Sequence, residues 1–342
     1  MADILVRREG RAGRITLNRP KALNALSYEM CLAVDAALRD WAGDDAVDLV
    51  IIDATGEKAF CAGGDIAEMY ATGRAGDYGY GRRFWADEYR MNARMAEYAK
   101  PVVSFLQGFV MGGGVGVGCH ASHRVVCETS QIAMPECGIG LIPDVGGSHL
   151  LARAPGQLGA YLGLSGARMG PGDALLAGFA DLYLPLAEWD GVKAALVASG
   201  DISALNGQAG PKAALAAHRQ IIDHAFGAES LPEILARLEA DGGEFAAGAL
   251  KLLRRNAPLS MACALAMLRR LGRESSVRDA LAQEYRFTWR AMEHSDFLEG
   301  IRAAIIDKDR NPRWQHGSAA DVSQAEVAHM LAPLGADELA FD

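Results

Sequence analysis

The sequence predicts an α/β fold with a mainly helical C-terminal region, and three observations support that prediction. Near-continuous apolar runs of strand length occur at 47–53 and 102–106. Each run leads into a glycine-rich turn, and a helix-like segment follows each turn. Beyond residue 186, Ala, Leu, Arg and Glu dominate the composition. A repeated order of strand, turn and helix is typical of a layered α/β core.

The first strand and the first helix follow from short local patterns. Residues 14–18 have the composition of a short strand, which ends before Pro20. Ser27 is a typical helix N-cap, and apolar residues then recur at intervals of three and four. This spacing predicts a helix with one apolar face. The face consists of Met30, Val34, Leu38 and Trp41.

The remaining patterns divide the chain into three parts. Residues 68–99 are charged, aromatic and helix-like, although glycines interrupt them. Short strands are predicted at 123–127 and 132–134, and helices are predicted to begin near Leu231 and Pro258. The expected parts are an α/β core at 1–185, a mainly helical region at 186–320 and a tail at 321–342.

Composition argues against several classes of function. The 342 residues carry a formal net charge of -9, whereas a nucleic-acid-binding protein needs a basic surface. No uncharged apolar run reaches membrane-spanning length, and the N-terminus has neither a signal-peptide core nor a long presequence rich in Arg and Ser. The six cysteines form no Cys-x-x-Cys pair, so we expect reduced thiols, no metal site and a cytoplasmic location.

Two glycine-rich turns carry the main chemical indication. They span 58–66 and 111–116, and each follows an apolar run. Glycine leaves backbone N–H groups uncovered at a helix start, where the partial positive charge favours an anion. The amides of Gly64 and Gly113 are therefore candidate donors to one developing oxyanion. The alternative is that these glycines only make tight turns.

Two carboxylates, Glu136 and Asp144, follow in a segment that contains prolines and glycines. They are too far apart to be neighbours on one helical face, but a loop can fold both into one cleft. Two nearby carboxylates push their pKa values apart, which lets one act as nucleophile or base and the other as acid. The alternative is a surface loop with two solvated acids.

Glu88 lies in an aromatic-rich helical segment and is a candidate for a hydrogen bond to a substrate hydroxyl. Spacing alone favours the alternative, a solvated helix position paired with nearby arginines. Arg19, Lys21 and Lys58 are the basic residues nearest the first two strand ends, where they could meet phosphate groups. One lysine near a turn is usually just solvated, so this indication is weak.

Several motifs resemble the crotonase (enoyl-CoA hydratase/isomerase) superfamily. The segments that carry the resemblance are 18–26, 58–66 and 111–116. The resemblance is closest to one branch, the 3-hydroxyisobutyryl-CoA hydrolases, and runs from about residue 10 to residue 315. The most specific pieces lie at 134–136, 142–147 and 299–309. These separate motifs occur in the order and spacing of the family.

The resemblance implies a crotonase-like spiral of strand-strand-helix units with a mainly helical C-terminal region. It also implies that a thioester oxygen of acyl-CoA binds between the amides of Gly64 and Gly113. The residues that match positions near the adenine end of CoA are Ala22, Ala62, Asp65 and Ile66. The residues that match acyl-pocket positions of the hydrolase branch are Glu88, Gly113, Glu136 and Asp144.

One departure from the hydratase pattern bears on the reaction. Hydratases of this superfamily use two catalytic glutamates, and one of them lies where this chain has Gly116. The second matches Glu136. Loss of one acid should disable the addition of water across a double bond, whereas Glu136 and Asp144 can still cleave a thioester. The resemblance thus implies hydrolysis of a short branched β-hydroxyacyl-CoA, with 3-hydroxyisobutyryl-CoA of valine breakdown as the expected substrate.

Two other functions stay open from the sequence. One is an enoyl-CoA hydratase or isomerase with altered acid-base groups, and the other is a non-catalytic acyl-CoA-binding protein, which would need neither Glu136 nor Asp144. We expect no metal or redox cofactor, because CoA enters as part of the substrate. We also expect no nucleic-acid or membrane partner. A homo-oligomer stays open, since relatives often form trimers or hexamers while the long C-terminal region could cover that surface.

Overall fold

The computed structural model of this protein describes residues 2–341 and groups them into two compact units. The first unit consists of residues 2–65, 87–133 and 168–214. The second consists of residues 66–86, 134–167 and 215–341. Each unit is therefore assembled from three separate stretches of the chain. The expected sequential boundaries after 185 and 320 stay predictions.

All strands of the described residues belong to the first unit, where they form two sheets. In chain order they are β1 (Ile4–Glu9), β2 (Ala12–Leu17), β3 (Leu49–Ala54), β4 (Ala59–Cys61), β5 (Val102–Leu106), β6 (Phe109–Met111), β7 (His123–Val126), β8 (Gln131–Ala133) and β9 (Leu182–Tyr183). The larger sheet has the order β1-β2-β3-β5-β7-β9, and the smaller has the order β4-β6-β8. β1 is antiparallel to β2, and the other pairings are parallel.

The larger sheet carries the hydrophobic core of the first unit. β5 is buried along its whole length and β3 along all but its last residue, which explains why both read as continuous apolar runs. Phe105 of β5 contacts the indole of Trp189 edge-on, with ring centroids 5.2 Å apart. Ile51, Val103 and Leu196 join the same buried cluster.

A buried ion cluster lies at the C-terminal half of β3. The Asp53 carboxylate accepts hydrogen bonds from Thr16 Oγ1 at 2.7 Å and from Arg14 Nη2 at 2.6 Å, and Lys193 Nζ lies 3.2 Å away. Burial by itself raises the pKa of Asp53, but Arg14, Lys193 and Thr16 together hold that pKa below its usual value. The cluster ties β2, β3 and the segment around Lys193 together within the first unit.

The helices of the described residues are, in chain order, α1 (Tyr28–Ala42), α2 (Ala67–Arg74), α3 (Gly79–Ala96), α4 (Gly113–Gly118), α5 (Gly147–Arg153), α6 (Leu158–Ser165), α7 (Pro171–Ala177), α8 (Trp189–Ser199), α9 (Arg219–Phe226), α10 (Leu231–Asp241), α11 (Glu244–Leu253), α12 (Pro258–Arg270), α13 (Val277–His294), α14 (Phe297–Ile301) and α15 (Gln324–Met330). One-turn 3-10 helices occur at Pro20–Ala22, Glu136–Ile139, Leu186–Glu188, Ile202–Ala204, Ala214–His218, Ala319–Asp321 and Gly335–Asp337, and a π-helix occurs at Arg302–Ile306. Within residues 2–341, no helix combines the length and the apolar content that crossing a bilayer requires.

The predicted helix starts are confirmed. α1 begins after Ser27, whose side chain accepts a hydrogen bond from the Met30 amide, and its predicted apolar face is buried. α10 begins at Leu231 and α12 at Pro258. α13 begins with a capping box, in which the Ser276 side chain and the third helical residue exchange hydrogen bonds with each other's backbone amide. Helices dominate the chain beyond residue 186, as expected.

Several short elements have no clear signal in the sequence. The strands β4 and β6 have three residues each, which is too short to show a periodic pattern. β4 was interpreted as part of the first glycine turn, and of β6 only Met111 was assigned, to the second turn. β1 was not predicted at all. The helical stretch expected at 68–99 is two helices, α2 and α3, separated around Gly76 with φ of +82°.

Candidate active site

The first glycine turn fixes the Gly64 peptide between two backbone hydrogen bonds. The Leu26 amide donates to the Gly63 carbonyl at 2.9 Å, and the Asp65 amide donates to the Leu26 carbonyl at 2.8 Å. Gly63 itself has φ of +124°, a conformation that side chains rarely allow. The backbone of Leu26 therefore binds the residues on both sides of Gly64.

The second turn brings Gly113 close to Gly64 and Glu88 within the first unit. Gly112 has φ of 50° and ends the turn, so Gly113 is the first residue of α4 and its amide has no acceptor inside the helix. A Cβ on Gly113 would lie 3.2 Å from the Gly64 nitrogen and 3.2 Å from Glu88 Oε1. The structure thus groups three of the predicted site residues, the two candidate donors and one acid.

The glycines of α4 allow close packing of the helix. A Cβ on Gly114 would lie 2.2 Å from the Cys61 carbonyl oxygen, and one on Gly118 would lie 2.6 Å from Leu106 Cδ2. Side chains at these two positions would separate α4 from β4 and β5. Gly116 lies in the same buried helix and provides no carboxylate.

Glu88 is a buried acid, not a solvated one. Only 4% of its surface is exposed, so the interpretation favoured by spacing alone, a solvated helix position, is wrong. Spacing could not reveal this burial, because the charged neighbours of Glu88 on α3, Asp87 and Arg90, are themselves only half-buried. Burial, with a smaller effect of the Glu88 charge, raises the pKa of the Cys61 thiol to about 12. A reactive Cys61 thiolate is therefore not expected near neutral pH.

The second unit contains the other two predicted acids, Glu136 and Asp144. Each is 4% exposed, so the alternative of two solvated surface acids is wrong. Glu136 begins the one-turn helix Glu136–Ile139, and within residues 2–341 its buried Oε2 has no hydrogen-bond partner. Burial raises the pKa of Glu136 well above its usual value, and the charges of Asp144 and Glu284 raise that pKa further. Glu136 is thus a buried carboxyl with an available oxygen.

The turn after Asp144 has a strained backbone. Val145 has φ of 53°, which is unfavourable for a β-branched residue, and Gly146 has φ of 76°. The Gly147 amide donates to the Asp144 carbonyl at 2.7 Å and closes the turn. Backbone strain of this kind persists only where the surroundings fix it, and it is common at functional sites.

Glu284 of α13 was not predicted, although it contacts this turn directly. Its Oε2 accepts a hydrogen bond from the Gly146 amide at 2.8 Å, and its Oε1 accepts one from the Ser148 amide at 3.0 Å. The Ser148 hydroxyl also donates to Oε1. A signal was present in the sequence: Glu284 lies on the apolar face of α13, in helical register with Leu281 and buried like it.

The residues assigned to the adenine end of CoA occupy the loops around the first turn. Ala22 lies in a 3-10 helix, and the Ala62 amide donates to the Leu23 carbonyl at 3.0 Å. Asp65 forms an ion pair with Arg19 at 3.0 Å, so this arginine already has a protein partner. Ile66 belongs to the second unit, where it is the N-cap residue of α2.

A cleft of about 630 Å³ in the first unit contains two of the predicted basic residues, Lys21 and Lys58. Asn24 fixes its wall: Oδ1 accepts from the Arg19 amide at 2.8 Å, and Nδ2 donates to the carbonyls of Thr55 and Ala59, both at 2.9 Å. The cleft lining does not include the four residues assigned to adenine. No local pattern in the sequence marks Asn24 as the residue that organises this loop.

The chain matches the family described as Enoyl-CoA hydratase/isomerase across residues 12–331. The protein belongs to this family. The superfamily suggested by the sequence motifs is therefore confirmed.

Relatives of known function cover nearly the whole chain. The chain is 38% identical to the 3-hydroxyisobutyryl-CoA hydrolase, mitochondrial, of Gallus gallus, over 99% of this chain and 91% of the relative. The proteins of the same name from Danio rerio and Xenopus tropicalis are 36% and 37% identical, over 99% and 98% of this chain and 91% and 90% of each relative. Since these names include a mitochondrial location, the expected cytoplasmic location is not confirmed.

Solved structures confirm the α/β fold with its helical C-terminal region. A Rhodobacter sphaeroides protein described as an enoyl-CoA hydratase is 59% identical, with a TM-score of 0.97 over 99% of this chain and 100% of its own. A Mycobacterium thermoresistibile protein described as a carnitinyl-CoA dehydratase is 41% identical, with a TM-score of 0.95 over 100% of this chain and 99% of its own. The names of these relatives share a CoA ester and differ in the reaction, so the reaction must be argued from the residues.

Proposed function

We propose that this protein hydrolyses the thioester of a short branched β-hydroxyacyl-CoA, namely 3-hydroxyisobutyryl-CoA, to 3-hydroxyisobutyrate and CoA. The observation that carries the proposal is the buried pair Glu136 and Asp144 in a chain whose residue 116 is glycine. Similarity to hydrolases of that substrate over 99% of the chain supports it. The reaction would serve valine breakdown.

In the proposed mechanism, the amides of Gly64 and Gly113 stabilise the charge that forms on the thioester oxygen. The close approach of these two residues supports this role, because two donors must lie near each other to share one oxygen. Removal of one such donor in other enzymes costs roughly 3–4 kcal/mol of transition-state stabilisation. Substrate binding alone would not require this arrangement.

Glu136 either attacks the thioester carbon and forms a transient anhydride, or removes a proton from a water that attacks in its place. Its unpartnered Oε2 supports both forms of this role. In the anhydride form, the C–S bond breaks, CoA leaves as thiolate and takes up a proton, and water then opens the anhydride. Asp144 orients Glu136 or the water and transfers protons. Glu88 binds the hydroxyl of the acyl group.

The CoA portion would bind through local contacts on an otherwise acidic protein. Lys21 and Lys58 in the first-unit cleft are the proposed phosphate partners, and Ala22, Ala62, Asp65 and Ile66 are proposed to approach adenine. We propose that the reaction needs no metal or redox cofactor. The cytoplasmic location and a homo-oligomeric assembly also stay proposals.

Release of free thiol from a panel of acyl-CoA esters tests the function. We expect 3-hydroxyisobutyryl-CoA to be hydrolysed fastest, with acetyl-CoA and crotonyl-CoA much slower. Glu136→Gln should abolish release while binding of the CoA ester is largely retained. The control is Glu244→Gln, which removes the same charge from an exposed position on α11. Release by Glu136→Gln at the parent rate would reject the role of Glu136.

Water labelled with heavy oxygen separates the two forms of the mechanism. In a single turnover, label in the Glu136 carboxylate indicates the anhydride, because water then attacks a carbonyl that Glu136 contributes. Label confined to the released acid means that water attacked the acyl carbon, either in the thioester or in the anhydride. Mass spectrometry of the peptide that contains Glu136 gives the answer directly.

A second candidate is an enoyl-CoA hydratase, because the 59% identical structure carries that description. The loss of absorbance of crotonyl-CoA measures this activity. We expect none, because residue 116 has no carboxylate to hold the attacking water. Hydration of crotonyl-CoA without thiol release would favour this second function. Absence of both activities would favour a non-catalytic acyl-CoA-binding protein.

A further inference from the structure

We propose that Glu284 is a positioning residue for Asp144, because it fixes the turn that carries Asp144 through three hydrogen bonds from Gly146 and Ser148. This inference rests on the proposed hydrolase function. It adds an acid on α13 to the three acyl-pocket acids that the family resemblance identified, Glu88, Glu136 and Asp144.

The geometry of the turn explains why a side chain with two oxygen acceptors is needed there. Val145 and Gly146 both have left-handed φ values, 53° and 76°, and this conformation leaves the amides of Gly146 and Ser148 outside any helical ladder. Backbone amides in such turns point into one concave site, which an oxygen acceptor can fill. Glu284 occupies that donor site with both of its oxygens. Without an acceptor, these buried amide donors would destabilise the turn.

The same hydrogen bonds restrain Asp144. The Gly147 amide donates to the Asp144 carbonyl, and Gly147 stands between Gly146 and Ser148, the two residues that Glu284 fixes. The backbone of Asp144 is therefore tied to a segment that Glu284 holds in place. A loosened turn would let the φ of Val145 relax out of the left-handed region, and Asp144 would rotate with it. Displacement of a catalytic group by about 1 Å can cost about 100-fold in rate.

The electrostatics of the second unit also place Glu284 with the acid pair. The charge of Glu284 acts on Glu136, and the charge of Asp144 acts on Glu284. The other charged groups of α5 have other partners, since Arg153 donates to the Arg273 carbonyl and His149 contacts the Ser275 backbone. On α15, Glu326 pairs with His316 at 3.0 Å. Glu284 therefore belongs to one cluster of three carboxyls.

Glu284→Gln tests the proposal, because the amide keeps the shape of the side chain but faces at least one backbone donor with an N–H group. We expect kcat for thiol release to fall about 10- to 100-fold while KM changes by less than about twofold. Glu293→Gln is the matched control: it removes a charge from the exposed end of the same helix and should leave both constants unchanged. Ser148→Ala removes only the hydroxyl donor and should give a smaller loss of kcat. This variant tests the same contact if the Glu284 variant folds poorly.

A double-mutant cycle separates positioning from a general loss of structure. If Glu284 acts through Asp144, Glu284→Gln should lower kcat by less than about threefold in an Asp144→Asn background. Equal losses in both backgrounds, or a kcat of Glu284→Gln or Ser148→Ala unchanged from the parent, would overturn the inference. Failure of the hydrolase function gives a different result, since the parent itself would then release no thiol from any acyl-CoA ester.

Discussion

The Gly64 nitrogen lies 3.2 Å from the point where a Cβ on Gly113 would stand. Gly113→Ala therefore narrows the space between the two proposed donors without straining the backbone, because Gly113 is helical. We expect kcat to fall about 100- to 1,000-fold, since a displaced donor no longer reaches the oxyanion. Thiol release measures the effect. The control is Gly248→Ala in α11, where a Cβ meets nothing within 4 Å and activity should be retained.

The acid limb of the pH–rate profile is expected at a pH above the usual pKa range of a carboxylate. Glu136 must be ionised to attack or to accept a proton, and burial followed by the charge of Asp144 raises the pKa of Glu136. Asp144→Asn removes the like charge, so the pKa of Glu136 falls and the acid limb of kcat/KM moves to lower pH. A limb that stays in place, or moves to higher pH, would show that Asp144 does not act on Glu136. Residual thiol release between pH 4 and pH 9 measures the shift.

The stability of the fold should depend on pH through Glu284. Burial, together with the charge of Asp144, raises the pKa of Glu284 from 4.5 to about 8 against the opposing donors of Gly146 and Ser148. The stabilisation of the folded state by Glu284 is therefore fully present below pH 4.5 and is lost as the pH rises through 8. In this window the unfolded chain releases a proton that the folded chain keeps. Relative to Glu284→Gln, the free energy of unfolding of the parent should fall by about 1.4 kcal/mol per pH unit in this window. Urea unfolding at several pH values checks the slope, and parallel curves would contradict it.

The buried ion cluster of the first unit should contribute to stability and not to catalysis. Asp53→Asn leaves Arg14 and Lys193 without their shared buried anion, and this should cost about 3–5 kcal/mol in the free energy of unfolding. The exposed Asp40 of α1 offers a control, and Asp40→Asn should stay within about 0.5 kcal/mol of the parent. Denaturant unfolding compares the three proteins. A loss below 1 kcal/mol for Asp53→Asn would mean that the cations find other partners.

Lys58 should affect binding of the CoA ester and not the chemical step. Lys58→Ala is expected to raise KM for the CoA ester about threefold to tenfold with kcat unchanged, because a phosphate contact is lost. A thioester of the same acid with pantetheine lacks the nucleotide phosphates, so its KM should not change. Lys251→Ala removes an equivalent exposed charge from α11 as the control. An equal change for both substrates would place the effect outside phosphate recognition.

Local patterns predicted those elements whose signals are contained in a few neighbouring residues. Ser27 capped α1 as expected, and β5 was found with the bounds 102–106 because a buried parallel strand is apolar throughout. The three-residue strands β4 and β6 escaped because their pairing comes from tertiary contacts and not from a periodic sequence. The glycine turns were recognised, but only the structure showed that Gly113 lies beside Gly64 and Glu88.

Residues that act across long sequence separations were harder to predict. Glu284 lies far along the chain from Gly146 and Ser148, and nothing in the local sequence of either segment indicates their contact. The burial of Glu88 was also missed, since the charged residues around it suggested a solvated helix. In both cases the missing information was tertiary packing. The sequence gives only a weak signal of such packing, namely an acid on an otherwise apolar helix face.

In the sequence, the three stretches of the second unit alternate with residues 87–133 and 168–214 of the first unit. Its short helices α5 and α6 pack against α12, α13 and α9, which are encoded only after residue 214. A ribosome must therefore finish nearly the whole polypeptide before the acid-bearing turn can be covered. Premature stop codons or a single proteolytic cut in the late helices should inactivate the enzyme even though every proposed reacting group precedes them.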